Sequence, residues 1–457
     1  MVRKFMLSAL LAVVLVQCAF GQGNANGFKG FWNGVLSAGG QNINVEFEIL
    51  EQQVGVVGKM NVQGIKGIPV EVAVAGDTIG LTVKQLGMDY SGVLASSVVK
   101  GTFQQHGVVA ELLLYPGRLT VNRPQTPVAP YPYITEEVSF ENVAEGATLT
   151  GTISYPVGYS DKQAGSVPVV VMVTGSGTQN RDEEIYDHKP FAVIADWLAR
   201  NGIASLRYDD RGAGGSSKPV EGATSLNNAG DAKAAVGYVR GLGKFGKVGV
   251  LGHSEGGTIA FMLAGDRIPD FIVSLAGVAT SGLDCIVWQN KAQMELMGVP
   301  QQIMDDYGKV LTAIYTERIK GGAIAQGDEF VQRICTSGGL VLPASLVANA
   351  ITVATMRNEW IDWFVGYNPA DAIGKIVCPV MALNGSLDMQ VPAEANLGML
   401  GKLLPANEKH MIKEYPELNH LFQRCTKETS LKYDDIEETI SPQVLDDIVA
   451  WIGSLGR

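Results

Sequence analysis

Charged residues are scarce in this chain, and the features that mark several classes of protein are missing. Only 18% of its 457 residues are charged, which excludes long disordered charged tails. Acidic residues outnumber basic ones by 46 to 35, and the net charge of −11 argues against nucleic-acid binding, which needs a basic surface. Beyond the N-terminus no run of 18 apolar residues occurs, so we expect no stable membrane span.

Cysteine and histidine are also few, at five residues each. The cysteines form no Cys-x-x-Cys motif and no cluster with histidine, so we expect neither a zinc site nor any other metal site. Four cysteines follow the N-terminal segment. Two interpretations remain open for them: small buried thiols, or one disulfide with Cys285 and Cys335 as the favoured pair.

The first 21 residues have the layout of a secretory signal peptide. Arg3 and Lys4 precede an apolar core over residues 6–16, and a small residue, Gly21, follows. This core is well short of the ~20 apolar residues needed to span a bilayer. We therefore expect cleavage near Gly21 and a secreted, periplasmic protein, with a membrane anchor or lipidation at Cys18 as the alternatives.

Within residues 22–123, which we predict to form one domain, apolar and polar positions alternate with a period of two from residue 28 to about residue 121. The stretches 44–49 and 71–74 are typical of half-buried strands, and glycine-containing turns separate such stretches. The pattern predicts a small all-β domain, either a sandwich or an open barrel, whose edge strands would allow a homodimer. Residues 124–135 are rich in proline and predict a semi-rigid, extended linker.

A different pattern extends over residues 136–457. Short continuous apolar runs, typical of strands buried on both faces, alternate with helical stretches and predict a mostly parallel sheet flanked by helices. The runs lie at 168–174, 203–208, 248–251, 271–275 and 379–383. A hairpin over 136–155 is expected to lead the sheet. Residues 281–368 are helix-like and predict either a helical cap that shapes a substrate pocket or an ordinary pair of packed helices.

The strongest chemical signal is the segment Gly-His-Ser-Glu-Gly-Gly at residues 252–257, between an apolar run and a helical stretch. In this context Gly-x-Ser-x-Gly predicts a nucleophile elbow, a sharp turn that raises a serine hydroxyl above the edge of the sheet. Side chains at positions 252 and 256 would collide with neighbouring backbone. Ser254 is the predicted nucleophile, and the N–H of Glu255 is a predicted oxyanion donor.

A serine nucleophile needs a base, and the few histidines make the search short. His420 follows the last strand-like run, 411–415, in a loop that reaches the edge to which the elbow points. Asp388 follows the preceding run and is predicted to orient His420, so the chain order is Ser254, Asp388, His420. Packed or solvated roles are expected for the other histidines: His106, His188, His253 and His410.

The loop after the run 168–174 is predicted to supply the second oxyanion donor. It reads Gly-Ser-Gly-Thr-Gln-Asn-Arg-Asp over residues 175–182, and its small residues let a carbonyl approach the main chain closely. Ser176 is the favoured donor, with Gly175 beside it. Arg181 and Asp182 are expected to brace this loop rather than touch the substrate.

Together these motifs resemble a known family. From about residue 136 to residue 455 the chain is similar to the α/β-hydrolase superfamily, and with its β domain it resembles secreted bacterial carboxylesterases related to prolyl-oligopeptidase-type serine hydrolases. Four motifs carry the resemblance, at residues 175–182, 209–216, 252–257 and 384–392. The resemblance implies the same triad and a short-to-medium chain carboxylesterase that acts on small-molecule esters without a cofactor. Thr174 departs from the pattern, because many relatives carry histidine there.

Two other functions remain open at this stage. An exopeptidase of the prolyl-oligopeptidase type would bind the charged amine of its substrate with carboxylates, and the predicted cap contains Asp305, Asp306 and Glu317. A catalytically inactive binding protein could keep the same fold, but the presence of all three triad residues argues against it.

Overall fold

The chain forms two compact units. The computed structural model describes residues 27–38, 41–52, 55–62, 65–119, 122–321, 324 and 326–456. The first unit extends to Asn122 and includes Ile185–Asp187, and the second comprises Arg123–Glu184 and continues from His188. The predicted signal peptide, residues 1–21, lies outside the described residues and stays a prediction.

The first unit is an eight-stranded antiparallel β-barrel with its strands in chain order. The strands are β1 (Gly30–Ala38), β2 (Gln41–Gln52), β3 (Gly55–Val62), β4 (Ile65–Ala75), β5 (Thr78–Val83), β6 (Met88–Ala95), β7 (Val98–Gln105) and β8 (Val108–Pro116). Each strand pairs with the next, and β1 also pairs with β8 through Trp32–Pro116 and Asn33–Tyr115. The period-two pattern of the sequence therefore corresponds to strands with one buried face.

The closure of this barrel differs from both forms expected for the domain, a sandwich or an open barrel. An open sheet leaves unpaired backbone groups on its edge strands, whereas β1 and β8 pair with each other here. The edges on which the expectation of a homodimer rested are thus covered. Side chains can fill the interior of an eight-stranded barrel, and large apolar side chains such as Phe47, Met60 and Phe103 are buried in the core of this one.

The second unit is built on an eight-stranded sheet with the order β16-β15-β14-β13-β11-β12-β10-β9. Its strands are β9 (Thr135–Asn142), β10 (Ala147–Ser154), β11 (Val169–Val173), β12 (Ala204–Tyr208), β13 (Val248–His253), β14 (Phe271–Leu275), β15 (Val380–Gly385) and β16 (Met411–Tyr415). The pairs β9–β10 and β10–β12 are antiparallel, and the remaining neighbours are parallel. The predicted hairpin and the strands predicted from apolar runs are confirmed.

Helices cover both faces of this sheet. The helices of this unit are α1 (Pro190–Arg200), α2 (Ser225–Gly241), α3 (Glu255–Gly265), α4 (Gly282–Leu296), α5 (Gln301–Ile319), α6 (Gly327–Gly338), α7 (Ala344–Thr355), α8 (Glu359–Gly366), α9 (Ala370–Ile373), α10 (Ala393–Leu403) and α11 (Pro442–Ser454). On β11, Val169 and Val171 pack into one core, and Val170 and Met172 pack into the other. A strand buried on both faces explains the continuous apolar run. Within the described ranges, no helix is long and apolar enough to cross a membrane.

Five helices, α4 to α8, lie between β14 and β15, in the interval for which a helical cap was predicted. They share an apolar core of their own that includes Tyr307, Leu311 and Val331. Cys285 and Cys335 are both free thiols, so the favoured disulfide is wrong. Cys285 packs in a separate small cluster and not in the core of the cap, against which Cys335 packs.

The start of the proline-rich stretch is bound to the second unit. Gln125 donates from Nε2 to the carbonyl of Ile440 at 2.7 Å and accepts the N–H of Thr439 at 2.6 Å. Arg123 donates to the carbonyl of Ile436 at 2.9 Å. The predicted semi-rigid linker is therefore fixed at its beginning by hydrogen bonds to the segment that precedes α11.

Candidate active site

Ser254 occupies a strained turn between a strand and a helix. Strand β13 ends at His253 and helix α3 begins at Glu255, so Ser254 alone makes the connection. Its φ of 53° and ψ of −117° are unusual for a residue with a side chain. The N–H of Ser254 donates to the carbonyl of Leu275 at 2.9 Å, which holds the turn against β14. This geometry matches the nucleophile elbow that the sequence predicted.

Two glycines make this turn possible because backbone passes close to them. A Cβ atom on Gly252 would lie 1.9 Å from the carbonyl oxygen of Gly256. A Cβ atom on Gly256 would lie 2.1 Å from the carbonyl oxygen of Val173. The collisions expected from the sequence are therefore collisions with main-chain atoms, which cannot rotate away as a side chain can.

Replacing Gly252 with alanine is expected to lower the free energy of unfolding by about 3 kcal/mol or more, because the new methyl group overlaps backbone in a packed site. The matched control is Gly237→Ala on the exposed side of α2, where an added Cβ meets no atom within 4 Å. That change should stabilise the protein by about 1 kcal/mol through helix propensity. Urea unfolding of both variants provides the measurement, and equal midpoints would contradict the steric argument.

The predicted acid and base are in contact. His420 Nδ1 donates to Asp388 Oδ2 at 2.7 Å, and the two residues are 3% and 4% exposed. The other carboxylate oxygen, Oδ1, accepts the N–H groups of Gln390 and Val391, each at 2.8 Å. Asp388 is therefore fixed by three hydrogen bonds. Because Nδ1 is the donor to the carboxylate, Nε2 is left as the basic nitrogen of His420.

The loop that carries His420 meets the elbow through His253. His253 Nε2 donates to the carbonyl oxygen of His420 at 3.0 Å, and the two imidazole rings are 4.8 Å apart between centroids. In the described part of the chain, Ser254 Oγ and His420 Nε2 form no hydrogen bond with each other. Catalytic hydrogen bonds of this kind often align only when substrate is bound. The structure thus brings the three residues to one place without joining the hydroxyl to its base.

The expected oxyanion donors differ in whether their N–H groups already donate to another protein atom. Among the described residues, the N–H groups of Ser176 and Glu255 donate to no other protein atom, so both stay candidates. The N–H of Gly175 donates to Glu183 Oε1 at 2.7 Å, so the expectation that Gly175 is a donor is wrong. Gly175 instead permits a close approach, since a Cβ atom there would lie 3.3 Å from Ser254 Cβ.

Arg181 and Asp182 brace the oxyanion loop, as their position in the sequence suggested. Arg181 pairs with Asp209 at 2.7 Å and with Glu137 at 2.5 Å, and its N–H also donates to Asp209 at 2.8 Å. Asp182 pairs with Arg207 on β12. These ion pairs tie the loop to the sheet and leave neither side chain free for substrate.

Thr174, the departure from the family pattern that the sequence resembles, has a structural partner. Its hydroxyl donates to Asp210 at 2.9 Å, and the N–H of Gln179 donates to the same carboxylate at 2.8 Å. Burial raises the pKa of Asp210 to about 7, nearby Glu183 and Glu255 add to this effect, and the two hydrogen bonds oppose it. Thr174 therefore stabilises the start of the oxyanion loop without facing the reaction centre.

Sequence reasoning missed a buried ion pair directly behind the elbow. His253 Nδ1 lies 3.0 Å from Glu183 Oε1, and the side chains are 9% and 4% exposed. Burial opposes protonation of His253, but the carboxylate raises the pKa of this imidazole above its ordinary value. No spacing in the sequence links residue 183 to residue 253. The only signal was the histidine inside the elbow, which was expected to be packed or solvated.

The cap reaches the elbow helix through Glu255. This buried carboxylate, 2% exposed, accepts Trp360 Nε1 of α8 at 3.1 Å and Ser225 Oγ of α2 at 2.5 Å. The indole of Trp360 stacks on Phe364, with centroids 5.2 Å apart. The aromatic stretch at the end of the cap is therefore next to the predicted nucleophile, which supports a cap that shapes the site.

The remaining histidines of this unit are packed, as expected. His188 is buried and contacts Thr439 Oγ1 and the carbonyl of Tyr433. His410 accepts the N–H of Val380 through Nδ1, and burial lowers its pKa. Among the described residues, no three His, Cys, Asp or Glu side chains are grouped so that they could hold a metal ion.

Known proteins resemble parts of this chain. Residues 168–313 match the model of the alpha/beta hydrolase fold family. The chain is 27% identical over 305 residues to esterase EstD of Thermotoga maritima, a match that covers 66% of this chain and 65% of the relative.

Solved structures with a similar fold include an esterase of Pyrococcus furiosus, with a TM-score of 0.42 and 13% identity over 74% of this chain and 99% of the other. The proline iminopeptidase of Mycobacterium smegmatis is also similar, with a TM-score of 0.41 and 13% identity over 70% and 98%. The family match covers β11 to β14 and the elbow, but it does not extend to Asp388 or His420. The second unit of the chain has the α/β-hydrolase fold.

Proposed function

We propose that the protein is a serine hydrolase that cleaves carboxylic esters of small molecules by acyl transfer. One observation carries the proposal: a strained serine elbow lies beside a buried imidazole whose Nδ1 is held by Asp388 at 2.7 Å. A histidine oriented in this way keeps Nε2 as an acceptor for the serine proton. The named activity of EstD agrees with it, although the match spans only 65% of that relative.

The reaction would proceed in two steps. Ser254 Oγ gives its proton to His420 Nε2 and attacks the ester carbonyl carbon, and the N–H groups of Ser176 and Glu255 stabilise the oxyanion. The C–O bond to the alcohol then breaks, and His420 gives the proton to the leaving alcohol. In the second step His420 activates a water, which hydrolyses the acyl-enzyme to the acid and restores the serine.

An exopeptidase is less well supported because two of the cap carboxylates already have cationic partners. Asp305 pairs with Lys291 at 2.8 Å, and Asp306 pairs with Lys309 at 3.0 Å, all within the cap. A carboxylate that binds a substrate amine has to be free to replace solvent with that amine. Asp305 instead joins cap helices α4 and α5, and Asp306 pairs within α5.

We expect the purified protein to hydrolyse p-nitrophenyl esters, with a maximum of kcat/KM at a short or medium acyl chain, because the sequence resemblance implies an esterase for such chains. The measurement is a panel of esters from acetyl to lauroyl beside a dipeptidyl anilide. Hydrolysis of the anilide alone would favour the exopeptidase, and folded protein inert toward both would favour a binding protein.

A further inference from the structure

One buried carboxylate contacts two of the three loops that build the candidate site directly, and it reaches the third through His253. Glu183 Oε1 accepts the N–H of Gly175, from the oxyanion loop, at 2.7 Å. The same oxygen accepts His253 Nδ1, from the elbow, at 3.0 Å. His253 in turn contacts the third loop, because its Nε2 donates to the carbonyl of His420 at 3.0 Å. Glu183 and His253 thus form a chain of hydrogen bonds from the oxyanion loop to the base.

The two acceptors determine the protonation of His253. A main-chain carbonyl and an ionised carboxylate can only accept hydrogen bonds, so with Glu183 ionised both ring nitrogens of His253 carry a proton. His253 is therefore an imidazolium, and Glu183 is its counter-ion. The Asp388 carboxylate also faces this cation and favours the protonated form, and the neighbouring acid Asp210 interacts with Glu183.

Stability alone does not explain an ion pair at this place. A buried ion pair loses hydration and is often no more stable than apolar side chains of the same volume. The far side of the pair borders a small apolar cavity, with lining residues that include Phe191, Ile194 and Phe422. The backbone of Glu183 is also strained, with φ at 51°. The lost hydration and the backbone strain are consistent with a pair that is needed to hold the surrounding loops in a fixed arrangement.

We propose that Glu183 and His253 are positioning residues that hold the oxyanion loop and the His420 loop in register with Ser254. This inference rests on the proposed function, because it assigns the pair to the alignment of the same serine, base and oxyanion donors. Neither side chain would touch the substrate. Loss of either would displace the reacting groups by a fraction of an ångström to an ångström, which costs up to about 10²-fold in rate.

The test is a double-mutant cycle on Glu183→Gln and His253→Asn, measured with the best p-nitrophenyl ester. Glutamine keeps the shape of Glu183 but removes the charge, and asparagine keeps a donor toward Glu183 but not the donor toward His420. We expect each single variant to lower kcat by roughly 10-fold to 100-fold with KM nearly unchanged. The double variant should be no slower than the slower single variant, because both residues belong to one unit.

A second variant and a control distinguish a positioning role from a general loss of stability. His253→Gln places an amide donor near the position of Nε2, so it should recover part of the kcat lost in His253→Asn. Asp231→Asn breaks another buried ion pair, with Arg211 at 2.6 Å, in a residue as buried as Glu183. It should lower the midpoint of urea unfolding and leave kcat unchanged.

The outcomes separate the two proposals. The rate at which a fluorophosphonate modifies Ser254 depends on the serine, the base and the oxyanion hole. It does not depend on which acyl group the enzyme prefers. If the unmodified protein neither reacts with this reagent nor cleaves esters, the proposed function fails, and the positioning role fails with it. If it reacts while Glu183→Gln keeps full kcat, or if the losses of the two single variants multiply in the double variant, the positioning role alone is refuted.

Discussion

Replacing Ser254 with alanine is expected to lower kcat for ester hydrolysis by about 10⁶-fold, because no other group in the elbow can form the acyl-enzyme. The fold should be retained, since alanine keeps the N–H that donates to Leu275 and the Cβ that the strained turn already accommodates. Steady-state rates with the best p-nitrophenyl ester provide the measurement. Intact-protein mass spectrometry with a fluorophosphonate should show one adduct on the unmodified protein and none on the variant.

Ser205→Ala is the matched control for this prediction. Ser205 lies on β12, is 1% exposed, and its hydroxyl has no hydrogen-bond partner among the described residues. Alanine there removes a buried hydroxyl without removing a contact, so neither kcat nor stability should fall. A Ser254→Ala protein that keeps more than about a hundredth of the activity would show that another nucleophile, or none, carries the reaction.

Replacing Asp388 with asparagine is expected to lower kcat by about 10⁴-fold at neutral pH. Asp388 Oδ1 accepts two N–H groups, from Gln390 and Val391, so the asparagine will keep its carbonyl oxygen there. Its amide NH2 group will then face His420 Nδ1, which must become an acceptor. The proton of the neutral imidazole moves to Nε2, and His420 can no longer take the proton of Ser254.

This prediction concerns the tautomer of His420 and not the stability of the fold. The urea-unfolding midpoint of Asp388→Asn should fall far less than the large loss in kcat would suggest. The reason is that the two main-chain hydrogen bonds to residue 388 remain. Asp231→Asn again serves as the control for a buried aspartate outside the site. A loss in kcat of less than 10-fold in Asp388→Asn would exclude Asp388 as the partner that orients the base.

The elements of the second unit were predictable because local physics decides them. A strand buried on both faces has to be apolar at successive positions, as in residues 168–174, and a serine turn without Cβ collisions has to have glycine at 252 and 256. The contact of Asp388 with His420 also followed from order along the chain. Parallel strands end at the same edge, so loops after neighbouring strands β15 and β16 meet there.

Contacts between segments far apart in the chain could not be predicted from such local patterns. Closure of the barrel depends on the pairing of β1 with β8, and a period-two pattern is the same in an open and a closed sheet. Cys285 and Cys335 share an insert but pack in different clusters. The N–H of Gly175 was expected to face the substrate, and it faces Glu183 instead.

The sequence by itself determined the strands, the serine turn and the contact of Asp388 with His420, because each depends on the residue's own backbone or on the strand next to it. Only the tertiary structure decided how these parts are held together. Glu183, seventy positions before His253, neutralises that buried imidazolium and binds the oxyanion loop at the same time. Such a pairing produces no periodic pattern or regular spacing in the sequence. It forms because an unpaired charge is costly to bury, and burial is decided by the three-dimensional packing.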